Sequence, residues 1–208
     1  MTDYLKKNMA KPLIAILRGV RPEEVIAVSE ILIAQGFTMI EVPLNSPDAL
    51  KSIQILCDKF AEHVLIGAGT VLNIEQVQQV ADVGGKLIVS PNATIGVIEK
   101  TKILDMVSIP GVATPTELFA AIDAGADGVK AFPAEMLPEN AIKSWRAVIP
   151  RNFPIFAVGG INVSNMAAYK NAGIDGFGLG SNLYKSGKSL SEVRVDAQAF
   201  IDTAKGFI

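Results

Sequence analysis

The chain has 208 residues, 50% hydrophobic and 19% charged, with 19 basic against 21 acidic residues for a net charge of −2. That is too apolar for a disordered segment, long enough to bury a substantial core, and too evenly charged for a protein that grips nucleic-acid phosphates. Cys57 is the only cysteine and His63 the only histidine. An internal disulfide is therefore excluded, cysteine- and histidine-built metal sites are not expected, and Ser-His-Asp triads or Cys-His dyads are nearly unbuildable. Chemistry must come from Lys, Arg, Asp, Glu, Ser, Thr or Tyr. The first eleven residues carry Asp3, Lys6, Lys7 and Lys11, and the apolar run that follows is a strand's length before it meets Arg18. No run approaches the roughly 20 apolar residues of a membrane helix. A soluble, cytoplasmic protein is expected, with neither membrane nor nucleic acid as a partner.

Short β-rich runs recur along the chain, and they alternate with helical stretches. The first strand is expected at 13–17, followed by a helix over 22–35 with Pro22 in its first turn and Gly36 at its C-terminal cap. A second strand, 38–44, leads to a helix opening near Ser46-Pro47-Asp48. The third, 64–66, breaks into Gly67-Ala68-Gly69-Thr70 ahead of a helix over 74–83, and the fourth, 86–89, ends in Ser90-Pro91-Asn92. The fifth, 106–109, ends in Pro110-Gly111, and Thr114-Pro115-Thr116-Glu117 reads as a capping box opening a helix to Ala124. The sixth strand, 128–132, precedes a helix over 140–148; the seventh, 155–158, is followed by Gly159-Gly160 and a helix near 163–171. The eighth, 175–179, ends in Gly180-Ser181, with room for a short helix at 182–185 and a final amphipathic helix over 190–205.

Eight such units in 208 residues leave about 26 residues each, near the minimum for a strand, a turn and a crossover helix. Strict alternation predicts a parallel sheet, and eight repeats predict a closed (β/α)8 TIM barrel as one domain over 1–208. An open doubly wound sheet with a miscounted strand is the alternative. In a barrel the reactive groups stand at the C-terminal ends of the strands. Arg18, Glu41, Gly69-Thr70, Pro91 and Lys130 fall there, and glycine-bearing pairs follow strands seven and eight.

Lys130 lies between Val129 and Ala131 in a strand expected to be covered on both faces. Burial disfavours the charged amine, and a neutral amine attacks ketones and aldehydes to form a Schiff base. A structural ion pair is the plainer reading. Glu41 is the natural partner, as a carboxylate that moves protons or as a counter-ion of Lys130 or Arg18. Arg18 offers a planar fork for a carboxylate or phosphate, and Thr70 a hydroxyl near a backbone N–H. Gly159, Gly160, Gly180 and Ser181 lie where barrels commonly bind phosphate, although tight turns would use the same residues. Cys57 is expected to pack, Trp145 and Phe153 to pack or to serve an interface, and His63 to lie on the surface.

Together these stretches resemble a known family. Ile14-Ala-Ile-Leu-Arg-Gly19, Glu41-Val-Pro-Leu-Asn-Ser46, Gly67-Ala-Gly-Thr-Val71, Val89-Ser-Pro-Asn92, Lys130-Ala-Phe-Pro133, Val158-Gly-Gly160 and Gly178-Leu-Gly-Ser181 are similar, in order, to the bacterial 2-keto-3-deoxy-6-phosphogluconate and -galactonate aldolases. The resemblance implies a class I aldolase without metal or cofactor, usually a homotrimer, that releases pyruvate and glyceraldehyde 3-phosphate from a phosphorylated keto-deoxy sugar acid. It also implies Lys130 as the Schiff-base lysine, Glu41 as general acid/base, Arg18 and Thr70 at the pyruvate carboxylate, and Gly160, Gly180 and Ser181 at the phosphate. Gly159 is expected to join that cradle, and Pro91 and Phe132 to line the pocket. Pro43, Asn45 and Val158 look like the galactonate branch, with Val158 a specificity position beside C4; Ala134-Glu135 look more like the gluconate branch. Two rivals remain: a metal-dependent sugar-phosphate epimerase, poorly supplied by one histidine, and a non-catalytic sugar-acid-phosphate sensor, which should have lost Lys130 or Glu41.

Overall fold

The computed structural model describes residues 2–207; Met1 and Ile208, the outermost residues of the expected 1–208 unit, lie outside them. The described strands are β1 (Leu13–Ile16), β2 (Met39–Pro43), β3 (Leu65–Gly69), β4 (Leu87–Val89), β5 (Val107–Ile109), β6 (Gly111–Val112), β7 (Val129–Ala131), β8 (Ile155–Val158) and β9 (Gly176–Leu179). The pairings are parallel, in the order β5-β4-β3-β2-β1-β9-β8-β7-β6.

The expected fifth strand is thus longer than its sequence signal and broken in two. Pro110 has no N–H to give a ladder, so it is where a strand changes neighbours. β5 pairs with β4, and β6 pairs with β7. Across the seam the Asp127 N–H donates to the Ser108 carbonyl at 3.0 Å and the Lys130 N–H to the Pro110 carbonyl at 2.8 Å. Counting β5 and β6 as one broken strand, the sheet closes as a (β/α)8 barrel. Around it pack α2 (Pro22–Gln35), α3 (Ala49–Phe60), α4 (Ile74–Asp82), α5 (Ile95–Ile103), α6 (Pro115–Asp123), α7 (Glu139–Arg146), α8 (Met166–Ala172) and α9 (Leu190–Lys205). The capping box at Thr114 and Glu117 is formed, and Gly36 is the left-handed cap of α2. β3 runs on through Gly69, past the expected break at Gly67. α5 occupies a stretch the sequence left unassigned. The short helix for which 182–185 had room does not form: a single turn over 181–183 is closed by the Leu183 and Tyr184 N–H groups, which both bond the Gly180 carbonyl. No helix among the described residues is long and apolar enough to cross a membrane.

Side chains alternate along each strand with a period of two, which sorts the core into two layers. Ala15, Ile40, Val42, Ile66, Ala68, Val129, Ala131 and Ala157 face the helices. Ile14, Met39, Leu65, Leu87, Val107 and Phe156 fill the barrel interior. The floor of that interior is closed by α1 (Asp3–Asn8), a six-residue helix not anticipated from the sequence, whose Leu5 is fully buried with them. Buried Asp127 ties this end down, accepting from the Thr2 N–H at 2.6 Å and the Ser108 N–H at 3.0 Å and pairing with Lys102. Because Leu5 is fully buried in this inner cluster, Leu5→Ala is expected to cost about 2–5 kcal/mol of unfolding free energy, read from the urea midpoint.

Candidate active site

The same alternation that buries Val129 and Ala131 under helices turns Lys130 into the barrel. Likewise Ile40 and Val42 face outward and Glu41 inward. Lys130 is 7% exposed and Glu41 3%. The Lys130 Nζ stands 4.4 Å from the centre of the Phe132 ring, a cation–π distance. Glu41 has room only because its neighbour on β3 lacks a side chain: a Cβ on Gly69 would fall 2.0 Å from Glu41 Oε2. That Oε2 is buried and has no hydrogen-bond partner among the described residues.

Burial sets the protonation of both groups. It pushes the Glu41 carboxyl up to about 7, against the pull of Lys130, Arg18 and the Gly69 backbone. It brings the Lys130 amine down to about 8, with Glu41 opposing and Arg18 assisting. The pair therefore changes protonation in the range where a nucleophilic amine and a proton-transferring carboxylate are useful. By contrast the Cys57 thiol is pushed up to about 11 by burial, consistent with packing, and His63 is exposed beside Glu62.

At the same end of the barrel opens a cleft of about 130 Å³ lined by Arg18, Phe132, Val158, Gly159, Gly160, Gly180 and Ser181; Lys130 and Glu41 do not themselves line it. Seven residues singled out from the sequence thus converge from four strand ends. Ile16, Ile161, Gly178 and Asn182 also line it and were not singled out. Ile16 was readable from its inward parity two residues before Arg18. Asn182 carries only its place next to Ser181; its side-chain amide donates to the Ile161 carbonyl at 2.7 Å, tying the last two loops together. Thr70 and Pro91 follow β3 and β4 but do not line this cleft. Thr70 holds a left-handed φ of 56°, strained for a β-branched residue and a mark of functional positions. Gly160, at φ 68°, lies against Glu135: a Cβ there would come within 2.5 Å of the Glu135 Oε2. A carboxylate thus stands at the rim of the expected phosphate cradle. A hollow of about 260 Å³ at the opposite face lies between Tyr4, Cys57, His63 and Lys86, and none of the candidate residues enters it.

The family described as KDPG and KHG aldolase matches residues 4–196. The chain is 52% identical over 191 residues to the probable 2-dehydro-3-deoxy-6-phosphogalactonate aldolase of Rhizobium meliloti (strain 1021), covering 92% of this chain and 90% of that one. It superposes on a native KDPGal structure with a TM-score of 0.92 at 43% identity, covering 94% and 95% of the two chains. It is also similar, at TM-score 0.80 and 25% identity over 99% and 98% of the chains, to the KDPG aldolase of Legionella pneumophila crystallised with pyruvate captured at low pH as a covalent carbinolamine intermediate.

The two shifts have opposite consequences for stability. Glu41 is raised from 4.5, so the cost of ionising it inside the fold grows as pH rises and is complete above about 7. Lys130 is lowered from 10.5, so the cost of its charge grows as pH falls and is complete below about 8. Between those values both costs are present, offset in part by mutual attraction. The double variant Glu41→Gln with Lys130→Met is therefore expected to be more stable than the parent by about 1–4 kcal/mol, with the largest gain near pH 7–8 in denaturant titrations run at several pH values.

Proposed function

The chain belongs to the KDPG and KHG aldolase family, and on that premise we propose that it is a class I aldolase cleaving 2-dehydro-3-deoxy-6-phospho-D-galactonate to pyruvate and D-glyceraldehyde 3-phosphate. The observation that carries the reading is Lys130: an amine buried inside the barrel, brought down to about 8, beside an inward carboxyl with an unpartnered oxygen.

In this reading the neutral Lys130 amine attacks the C2 ketone, and loss of water leaves a protonated imine. The imine draws the C3–C4 bonding pair toward nitrogen as the bond breaks, while ionised Glu41, directly or through a water, takes the proton of the C4 hydroxyl. C4 leaves as the aldehyde carbon of glyceraldehyde 3-phosphate. The enamine left on Lys130 takes a proton at C3, and water hydrolyses the resulting imine to pyruvate and the free amine. Arg18 and Thr70 hold the carboxylate; the backbone of Gly159, Gly160, Gly180 and Ser181 holds the phosphate; Pro91 and Phe132 shape the pocket around the pyruvate carbons. No metal or cofactor takes part. Val158, which lines the cleft, presents an apolar face beside C4, and this with the 52% identity to a relative named for the galactonate substrate favours that epimer. The enzyme works, in this reading, as a cytoplasmic homotrimer of single-domain chains.

Borohydride added with pyruvate is expected to leave a reduced, covalent adduct on the peptide containing Lys130; a chain that stays unmodified overturns the mechanism. Because Glu41 and Lys130 must both lose a proton to act, kcat/KM is expected to rise as pH passes through about 7 and 8. With both C4 epimers as substrates, kcat/KM is expected to favour the galactonate, by preference rather than exclusion. A clear gluconate preference would reassign the substrate and draw attention to Glu135.

A further inference from the structure

We propose that Asn45 and Ser46, in the loop after β2, are positioning residues that hold Arg18 over the reacting pair while leaving its charge uncompensated. The inference rests on the reading of Lys130 and Glu41 given above. Backbone pairing between the first two strands continues to the Leu17 N–H, which donates to the Glu41 carbonyl at 2.9 Å. Beyond it the chain turns through Arg18 and Gly19, where no further strand pairing fixes it. Two side-chain bonds replace the ladder there. The Arg18 Nη1 donates to Asn45 Oδ1 at 2.9 Å, and the Gly19 N–H donates to Ser46 Oγ at 2.9 Å. Ser46 is buried and is itself fixed by its N–H, which donates to the Pro43 carbonyl at 2.8 Å. An exposed, flexible arginine is thereby held at both its backbone and its guanidinium.

The chemistry of the partner is what makes this a catalytic arrangement. No carboxylate lies within ion-pair distance of Arg18 among the described residues. Asn45 accepts a hydrogen bond with a neutral oxygen, so the positive charge remains available to a substrate carboxylate in the cleft that Arg18 lines. The same charge acts on the pair below, favouring ionised Glu41 and neutral Lys130, the two forms that react. Arg18 is the charged group that acts on both members of the pair besides the members themselves. An aspartate at position 45 would hold the guanidinium equally well and cancel that effect.

The test is pyruvate trapping by borohydride, followed as half-saturating pyruvate and as the pH at which the trapping rate reaches half its maximum. Asn45→Ala is expected to raise half-saturating pyruvate about fivefold, the worth of one ordinary hydrogen bond, and to move the pH midpoint upward while the melting temperature stays unchanged. Asn45→Asp should move the midpoint upward as well, although it keeps the oxygen. In an Arg18→Ala background Asn45→Ala should have no further effect on either quantity. Unchanged trapping in Asn45→Ala, or an equal loss with and without Arg18, overturns the latch. Failure of the parent protein to trap pyruvate at Lys130 would instead overturn the reading beneath it.

Discussion

The C-terminal end of this barrel is organised around two opposite charges, Glu41 and Lys130, held away from water. Removing a carboxylate and an ammonium from solvent costs several kcal/mol each, and their attraction recovers only part of it. The remainder is offset by the dry floor beneath them, where Leu5, Met39, Leu65 and Phe156 pack without polar atoms. The cost is also the source of reactivity. A lysine at its ordinary value of 10.5 would be protonated at neutral pH and inert toward a ketone; desolvation is the largest cause that brings it to about 8. The fold's stability and the reactivity proposed for Lys130 therefore pull in opposite directions at one pair of residues.

Two backbone features make that placement possible. The first is the seam at Pro110. Lys130 stands on the strand that closes the barrel, and its own N–H supplies one of the closing hydrogen bonds, to the Pro110 carbonyl. The lysine is thus anchored by the bond that turns an open sheet into a barrel. The second is the absence of side chains on the inward face of neighbouring strands. Gly69 yields its volume to the Glu41 carboxylate. A methyl group at that position would have to displace the carboxylate and, with it, the group that opposes the loss of the lysine's charge.

Much of this was legible in the sequence because period-two alternation is local. The residues flanking Lys130 and Glu41 state which way both side chains point, and the strand at 155–158 and the helix at 190–205 carry signals strong enough to fix their ends. What was not legible depends on contacts distant along the chain or on a single residue. α1 is short, charged, and carries its burial on Leu5 alone, so no periodicity announces it. α5, Ile-Gly-Val-Ile-Glu-Lys-Thr-Lys-Ile, mixes β-branched residues with a glycine and reads as no clear element until Val97, Ile98 and Thr101 are seen to pack inward. The helix for which the sequence left room after Gly180 stops at a single turn, in which the Leu183 and Tyr184 N–H groups bond the Gly180 carbonyl. The bond from Arg18 to Asn45 spans 27 residues and leaves no trace in local pattern.

The distribution of charge along the cleft follows a division that the residue types explain. At the Arg18 end a full positive charge is held by a neutral amide. At the Gly160 end, peptide backbone lines the cleft, and the adjacent charged side chain is the carboxylate of Glu135. For the proposed substrate, which is anionic at both ends, these ends are not equivalent. A backbone cradle recognises the shape of a phosphate and supplies dipoles, but Glu135 sets a repulsion against the net charge it receives. In the proposed mechanism the Arg18 end supplies attraction to the carboxylate and, through Lys130, a covalent bond. On that reading binding energy is concentrated where bonds change, and the phosphate serves to orient the chain of carbons between the two ends. Grip of that kind at the reacting end, with a weaker hold on the departing three-carbon aldehyde, suits an enzyme whose first product must leave while the second is still attached to its lysine.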